Sequence, residues 1–122
     1  MSLKIQENGK FLSQIGSENM IIIGKTREVY EDDNLPSIKD LICSKPIKES
    51  KKVLEHLKNG KKGAVASGYA VDVISKERIA GELCCFSDGK FGWRSDTIYY
   101  FEKYNLKLDD EFINYVLNGA ED

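Results

Sequence analysis

Ser87-Asp88-Gly89-Lys90 separates two strand-like apolar runs, and no other feature restricts the folding of this chain as tightly. Glycine accepts positive φ without steric cost, so an Asp-Gly pair between such runs selects a tight hairpin. Arg78 to Phe86 before it and Phe91-Gly92-Trp93-Arg94 after it are then antiparallel neighbours. The same region carries the bulk needed for a core. Residues 78–117 hold the only Trp, four of the five Phe and all but two of the Tyr, so a core sealed by aromatic rings has to be built there. Beyond the hairpin, Ser95 or Asp96 is placed to cap a helix over Thr97 to Tyr104. Asp109 is placed to cap another over Asp110 to Leu117, which Gly119 ends.

A chain of 122 residues matches one domain, 1–122, large enough to bury roughly two-thirds of its unfolded surface without metal or disulfide support. At 41% hydrophobic and 31% charged residues the composition is globular, which excludes the low-hydrophobicity signature of disorder. The net charge of −2 withholds the uniformly basic surface that grips nucleic acid. Cys84 and Cys85 are adjacent on a strand, pointing to opposite faces, and with Cys43 they make an odd number, so a disulfide framework is not expected. No apolar segment reads as a signal peptide or a membrane span, and cytoplasmic residence is the expectation.

Towards the N-terminus, Lys4 to Glu7 reads as a short strand before the Asn8-Gly9 turn pair, and Phe11 to Ile15 as a hairpin arm or one helical turn. Met20-Ile21-Ile22-Ile23, β-branched and bounded by Asn19 and Gly24, predicts a buried strand. Lys25 to Asn34 reads as a polar surface segment. Ser37 caps a short helix through Ile42, and the spacing of Ile47, Val53, Leu54 and Leu57 predicts a helix to Lys58, stopped by Asn59-Gly60. Ala64 to Ile74 alternates with period two, turns at Ser75-Lys76-Glu77 and returns as Arg78 to Phe86. Strands 64–74, 78–86 and 90–94 then make a three-stranded meander. The prediction is an α+β domain, a mainly antiparallel sheet with helices packed on one face.

Nucleophilic catalysis requires a thiol or hydroxyl beside a base. The single histidine, His56, sits mid-helix, and Cys43, Cys84 and Cys85 lack the electropositive setting of reactive thiols. One His without a Cys-x-x-Cys pair gives no zinc pattern, and Asp32, Asp33, Asp109 and Asp110 lack calcium-loop spacing, so no metal or cofactor is expected. Asp72 and Glu82 on adjoining strands are either an acid/base pair or solvent-face residues. Seven lysines (45, 48, 51, 52, 58, 61 and 62) against Glu49 and Glu55 make residues 45–62 either a phosphate-contacting stretch or the solvated face of an amphipathic helix. Asp109, Asp110 and Glu111 suit the first turn of a helix. Glu28, Glu31, Asp32 and Asp33 around Tyr30 have no such explanation, and form either a solvated loop or a docking site for a basic partner. Tyr99, Tyr100, Phe101 and Tyr104 cannot all face one interior, since adjacent helical positions diverge by about 100°, which leaves Tyr99 or Tyr100 for a contact.

Asp88-Gly89-Lys90-Phe91-Gly92-Trp93, then Ile98-Tyr99-Tyr100-Phe101-Glu102-Lys103-Tyr104, then Leu108 and Glu111-Phe112, resembles a pattern of small bacterial immunity proteins. These are encoded beside polymorphic toxins, including contact-dependent inhibition toxins, and the resemblance covers residues 65–117. It implies a non-catalytic cytoplasmic inhibitor that binds one cognate toxin domain and blocks its active site or substrate entry. The basic cleft of a nuclease toxin would favour an acidic contact surface. On that reading the contact set is Glu28, Tyr30, Glu31, Asp32, Asp33, Tyr99 and Tyr100. The competing readings are a small enzyme using Asp72 and Glu82, and a lysine-mediated nucleic-acid or protein adaptor using residues 45–62.

Overall fold

The computed structural model describes residues 20–119, so the elements expected over 4–15 lie outside the described residues. In chain order the strands are β1 (Ile21–Ile22), β2 (Lys61–Val65), β3 (Cys84–Ser87) and β4 (Phe91–Arg94), and the helices are α1 (Arg27–Tyr30), α2 (Ser50–Lys58), α3 (Ser95–Tyr104) and α4 (Asp110–Asn118). A single 3₁₀ turn, Ile38–Asp40, takes the place of the longer helix expected from Ser37, whose hydroxyl accepts from the Lys39 N–H.

Asp88 closes the β3–β4 hairpin. Its N–H donates to the Phe91 carbonyl, and its Oδ1 accepts from the Lys90 and Phe91 N–H groups at 2.9 and 2.7 Å. Gly89 follows at φ +99°, where a side chain would be strained. Across the hairpin Phe86 faces Trp93. β2 pairs antiparallel with β3, while β1 runs parallel to β4, giving the order β1-β4-β3-β2. The domain is α+β with a mixed sheet: two of its three strand pairings are antiparallel, and the parallel β1 is a pairing that the mainly antiparallel expectation did not include.

The long strands 64–74 and 78–86 are also corrected. Pairing holds near the sheet, where Ala66 N–H donates to Leu83 at 2.8 Å, and resumes beyond, where Ile79 N–H donates to Ala70 at 2.9 Å and Val71 bridges Arg78. Between these stretches Gly68 and Gly81 both adopt φ +92°, a conformation that breaks an extended strand. Period-two alternation alone did not register those breaks.

Phe91 and Trp93 on β4 pack into one core with Leu57, Phe112 and Ile23, all fully buried. The Trp93 ring lies 5.5 Å from that of Phe112, and its Nε1–H donates to the Leu57 carbonyl at 3.0 Å. Gly60 is required beside it, because a Cβ there would meet the indole at 2.7 Å. Strand alternation turns Arg94 the other way, toward a second cluster of Tyr30, Cys84 and Cys85. Tyr30 is 8% exposed, so the stretch read as a polar surface segment contributes α1 and a buried ring, and the helices do not share one apolar core. α3 packs on β3 and β4, and α2 on α3 and α4.

Candidate functional site

The chemistry-bearing groups fall into three constellations. In the first, Asp72 is fully buried. Its Oδ1 accepts from the Ile74 and Ser75 N–H groups at 2.7 and 3.0 Å, and its Oδ2 from the Tyr99 and Tyr104 hydroxyls at 2.7 and 2.8 Å. Burial by itself would raise the carboxyl pKa, but the four hydrogen bonds outweigh it and hold the group well below the usual carboxylate range. The Tyr99 and Tyr104 phenols move up, chiefly because each donates to that carboxylate. Tyr100 is buried and its hydroxyl accepts from the Val73 N–H at 3.0 Å. Asp72 is thus an anchor that fixes the 71–78 turn to two tyrosines of α3, and Tyr100 holds the same turn through its backbone. Glu82 does not share it: that residue is exposed and pairs with Lys62, so the acid/base pair weighed from the sequence is not assembled.

In the second constellation His56 Nε2 lies 2.7 Å from Asp88 Oδ2, with the imidazole 5.8 Å from the Trp93 ring and 5.6 Å from that of Phe112. Asp88 already accepts from two backbone N–H groups at its other oxygen. The pair locks the hairpin tip to α2. An open cleft of roughly 780 Å³ borders it, lined also by Lys61, Lys62 and Asn59. The seven lysines of 45–62 are all exposed, with Lys58 reaching Glu102 and Lys62 reaching Glu82.

The third constellation is a groove of roughly 390 Å³ between α1 and the segment 66–76. Val29, Val73 and Leu83 line it, and Tyr69 and Val71 stand at its edge, 52% and 44% exposed. The Arg78 guanidinium stacks on Tyr69, 4.2 Å from the ring centroid. With Val65 and Ile21, these two make up the exposed large hydrophobic residues among the described residues. Arg94 and Asp96 also contribute to the groove, joined by Nε and Nη2 donating at 3.1 and 2.8 Å.

The acidic stretch divides. Glu28 is turned inward: burial works to raise its pKa, but the Ile38 N–H and the Ser37 hydroxyl, donating at 2.7 and 2.6 Å, bring it below its ordinary value. Asp32 accepts from the Asn34 N–H at 2.9 Å, a local turn. Asp33 is exposed and Glu31 half-buried at the groove. Of the expected contact set, Tyr30 and Tyr100 are therefore interior, Tyr99 half-buried against Asp72, and Glu31, Asp32 and Asp33 at or near the surface. Tyr69, Val71 and Arg94 at the groove are outside that set, because the alternation over 64–74 places the first two within a strand and the hairpin places Arg94 at a strand end. Ser95 and Asp96 do not cap α3, whose cap position is Arg94. Asp109 stands at the N-cap position of α4 as expected, but its carboxylate accepts from the Gly24 N–H at 3.3 Å and makes no capping bond to the helix.

Burial pushes the Cys84 thiol up, and the Cys85 thiol up to about 12. Cys43 is exposed. A thiol reagent should therefore label Cys43 in the folded protein at close to the rate of an unfolded cysteine, and Cys84 and Cys85 only on unfolding. Fast labelling of Cys84 would place that strand residue at the surface. Among the described residues no helix is long and apolar enough to cross a membrane, and no group of three His, Cys, Asp or Glu is assembled for a metal ion. Comparison of this chain with protein-family models, curated proteins and solved structures finds no match.

Proposed function

We propose that this protein is a non-catalytic, cytoplasmic immunity protein that binds and neutralises one cognate toxin domain, and that it does so through the face formed by Tyr69, Val71 and the neighbouring acidic turn. The observation that carries the reading is the groove: exposed Tyr69 and Val71 along one side, Glu31 along the other and Asp33 exposed nearby. An apolar centre with a charged rim is the anatomy of a protein-binding surface, and Tyr beside Arg is a common anchor combination. The resemblance over residues 65–117 supports the same reading. So does the state of the candidate acid/base groups, since Asp72 is engaged in holding the scaffold and Glu82 pairs with Lys62. Acidic flanks suit a toxin with a basic active-site cleft and would speed the encounter.

The test is association with the toxin domain encoded beside the gene. Glu31→Lys with Asp33→Lys should slow association about tenfold or more at low salt, with the difference shrinking as salt is raised. Tyr69→Ala should act mainly on dissociation, weakening binding by about 2 kcal/mol, the usual threshold of a hot-spot residue. Both readouts are taken on variants whose unfolding transition is unchanged. Undiminished binding by both variants would remove this face from the interface.

A further inference from the structure

β2 lies at one end of the sheet order β1-β4-β3-β2, and among the described residues its backbone bonds to β3 alone. Lys61, Lys62, Gly63 and Val65 are all exposed. Gly63 has no side chain, so what it exposes is backbone. A sheet edge with bare backbone is a ready template for one more strand, and proteins guard such edges with charge, proline or an irregular register. β2 has no proline; its guards are Lys61 and Lys62, together with the register shift between Lys62 and Val65.

Those guards also select what the edge accepts. β2 carries two lysines and no carboxylate. The carboxylates of the neighbouring elements are already engaged: Glu82 by Lys62, Asp88 by His56 and two backbone N–H groups, and Glu102 by Lys58. Lys61 has no carboxylate partner among the described residues. The pair of Lys62 with Glu82 is solvent-exposed on both sides, a kind of ion pair that is worth little and is readily exchanged. The cleft of roughly 780 Å³ follows the same stretch, since residues 59–64 line it without a break and His56 and the hairpin tip complete it. A second copy of the chain would bring further lysines to one short ladder, with no carboxylate on β2 to offset them, whereas a strand that carries carboxylates gains from both lysines. Beyond Val65 the chain runs on to Tyr69 and Val71, also exposed, so the edge leads directly into the groove face. We infer that β2 accepts an extended acidic segment of the partner protein as a further strand of the sheet, with main-chain hydrogen bonds supplying the hold and Lys61 and Lys62 the choice of charge. This rests on the reading of the chain as a partner-binding protein, but it is tested on the full chain alone, so that the two fail separately.

The probe is a short capped peptide that alternates glutamate with valine. One control replaces its glutamates with lysines; the other is fully N-methylated, which keeps the carboxylates but leaves no N–H to donate. Each is titrated at low salt into the isotope-labelled full chain while the amide signals and amide hydrogen exchange of Lys61–Val65 are followed. The expected result is saturable shifts and slowed exchange at these amides, in the millimolar range proper to a short peptide, with both controls about tenfold weaker or worse, a difference of about 1.4 kcal/mol. Lys61→Glu, at an exposed position, should weaken the acidic peptide about fivefold or more and strengthen its lysine counterpart. Shifts that are absent or map elsewhere, or a lysine control that binds as well, would overturn the inference. An N-methylated peptide that binds as well would also overturn it, by reducing the contact to ionic attraction. Slowed exchange at Lys61–Val65 that grows with protein concentration before any peptide is added would give the edge to a second copy, with the same consequence. Peptide binding in a protein that ignores the toxin would leave the inference standing and remove the immunity reading; toxin binding that leaves exchange at Lys61–Val65 unchanged would do the reverse.

Discussion

Replacing Trp93 with alanine should cost about 3–5 kcal/mol, the range for emptying a large aromatic site in a core. The indole is fully enclosed between Phe112, Leu57 and the Gly60 backbone, so little can collapse into the space it leaves. Its Nε1–H also satisfies a carbonyl at the end of α2, and that carbonyl would lose its partner. A domain of this size has a total stability of about 5–15 kcal/mol, so the variant would be marginal. Urea unfolding followed by circular dichroism measures the difference. A loss under about 1 kcal/mol would mean that the ring sits at the surface.

Asp72→Ala should be nearly as damaging, by about 3–5 kcal/mol, because removing one side of a buried charged network leaves the other side unpaired. Two phenols and two backbone N–H groups would lose their acceptor at once. The pH dependence carries a sign that identifies the group. The folded-state pKa lies below the ordinary value of 3.8, so the stabilisation is complete above about pH 4 and is lost as pH falls further, through the folded value. Wild-type protein should therefore lose stability between about pH 4 and pH 2 more steeply than Asp72→Asn. Parallel profiles would mean that the carboxylate contributes nothing as a charge. Because the same anchor positions the turn behind Tyr69 and Val71, Asp72→Asn should also weaken partner binding while the sheet persists.

The C-terminal half was legible because its signals are local. Asp88-Gly89 fixes the hairpin through side-chain and backbone hydrogen bonds within four residues, and the helices at Ser95–Tyr104 and Asp110–Asn118 follow apolar spacing to within two residues of expectation. The middle of the chain was not. Alternation over 64–74 predicts a strand, but φ +92° at Gly68 and Gly81 interrupts it, and Asp72 draws two N–H groups into its own turn. Parallel pairing of β1 with β4 joins residues about 70 apart in sequence, and no local pattern encodes such a partner. The site was harder still. Residue type points Asp72 to acid/base chemistry and Tyr99 to a partner contact, although these two form one structural network with Tyr104. Arg94 drew no attention because its meaning depends on Asp96 two residues on and Tyr30 far upstream, which only the fold brings together.

The central claim is that this chain acts by occupying a toxin domain and does no chemistry itself. The direct measurement is the activity of the toxin domain encoded beside the gene, titrated with the purified chain and compared with the Tyr69→Ala, Glu31→Lys, Asp33→Lys variant. The account predicts that activity falls linearly to zero at one chain per toxin domain, and that the variant needs a large excess to reach the same end point. A neighbourhood that encodes no such domain, or a toxin whose activity is untouched at tenfold excess of the chain, would contradict it.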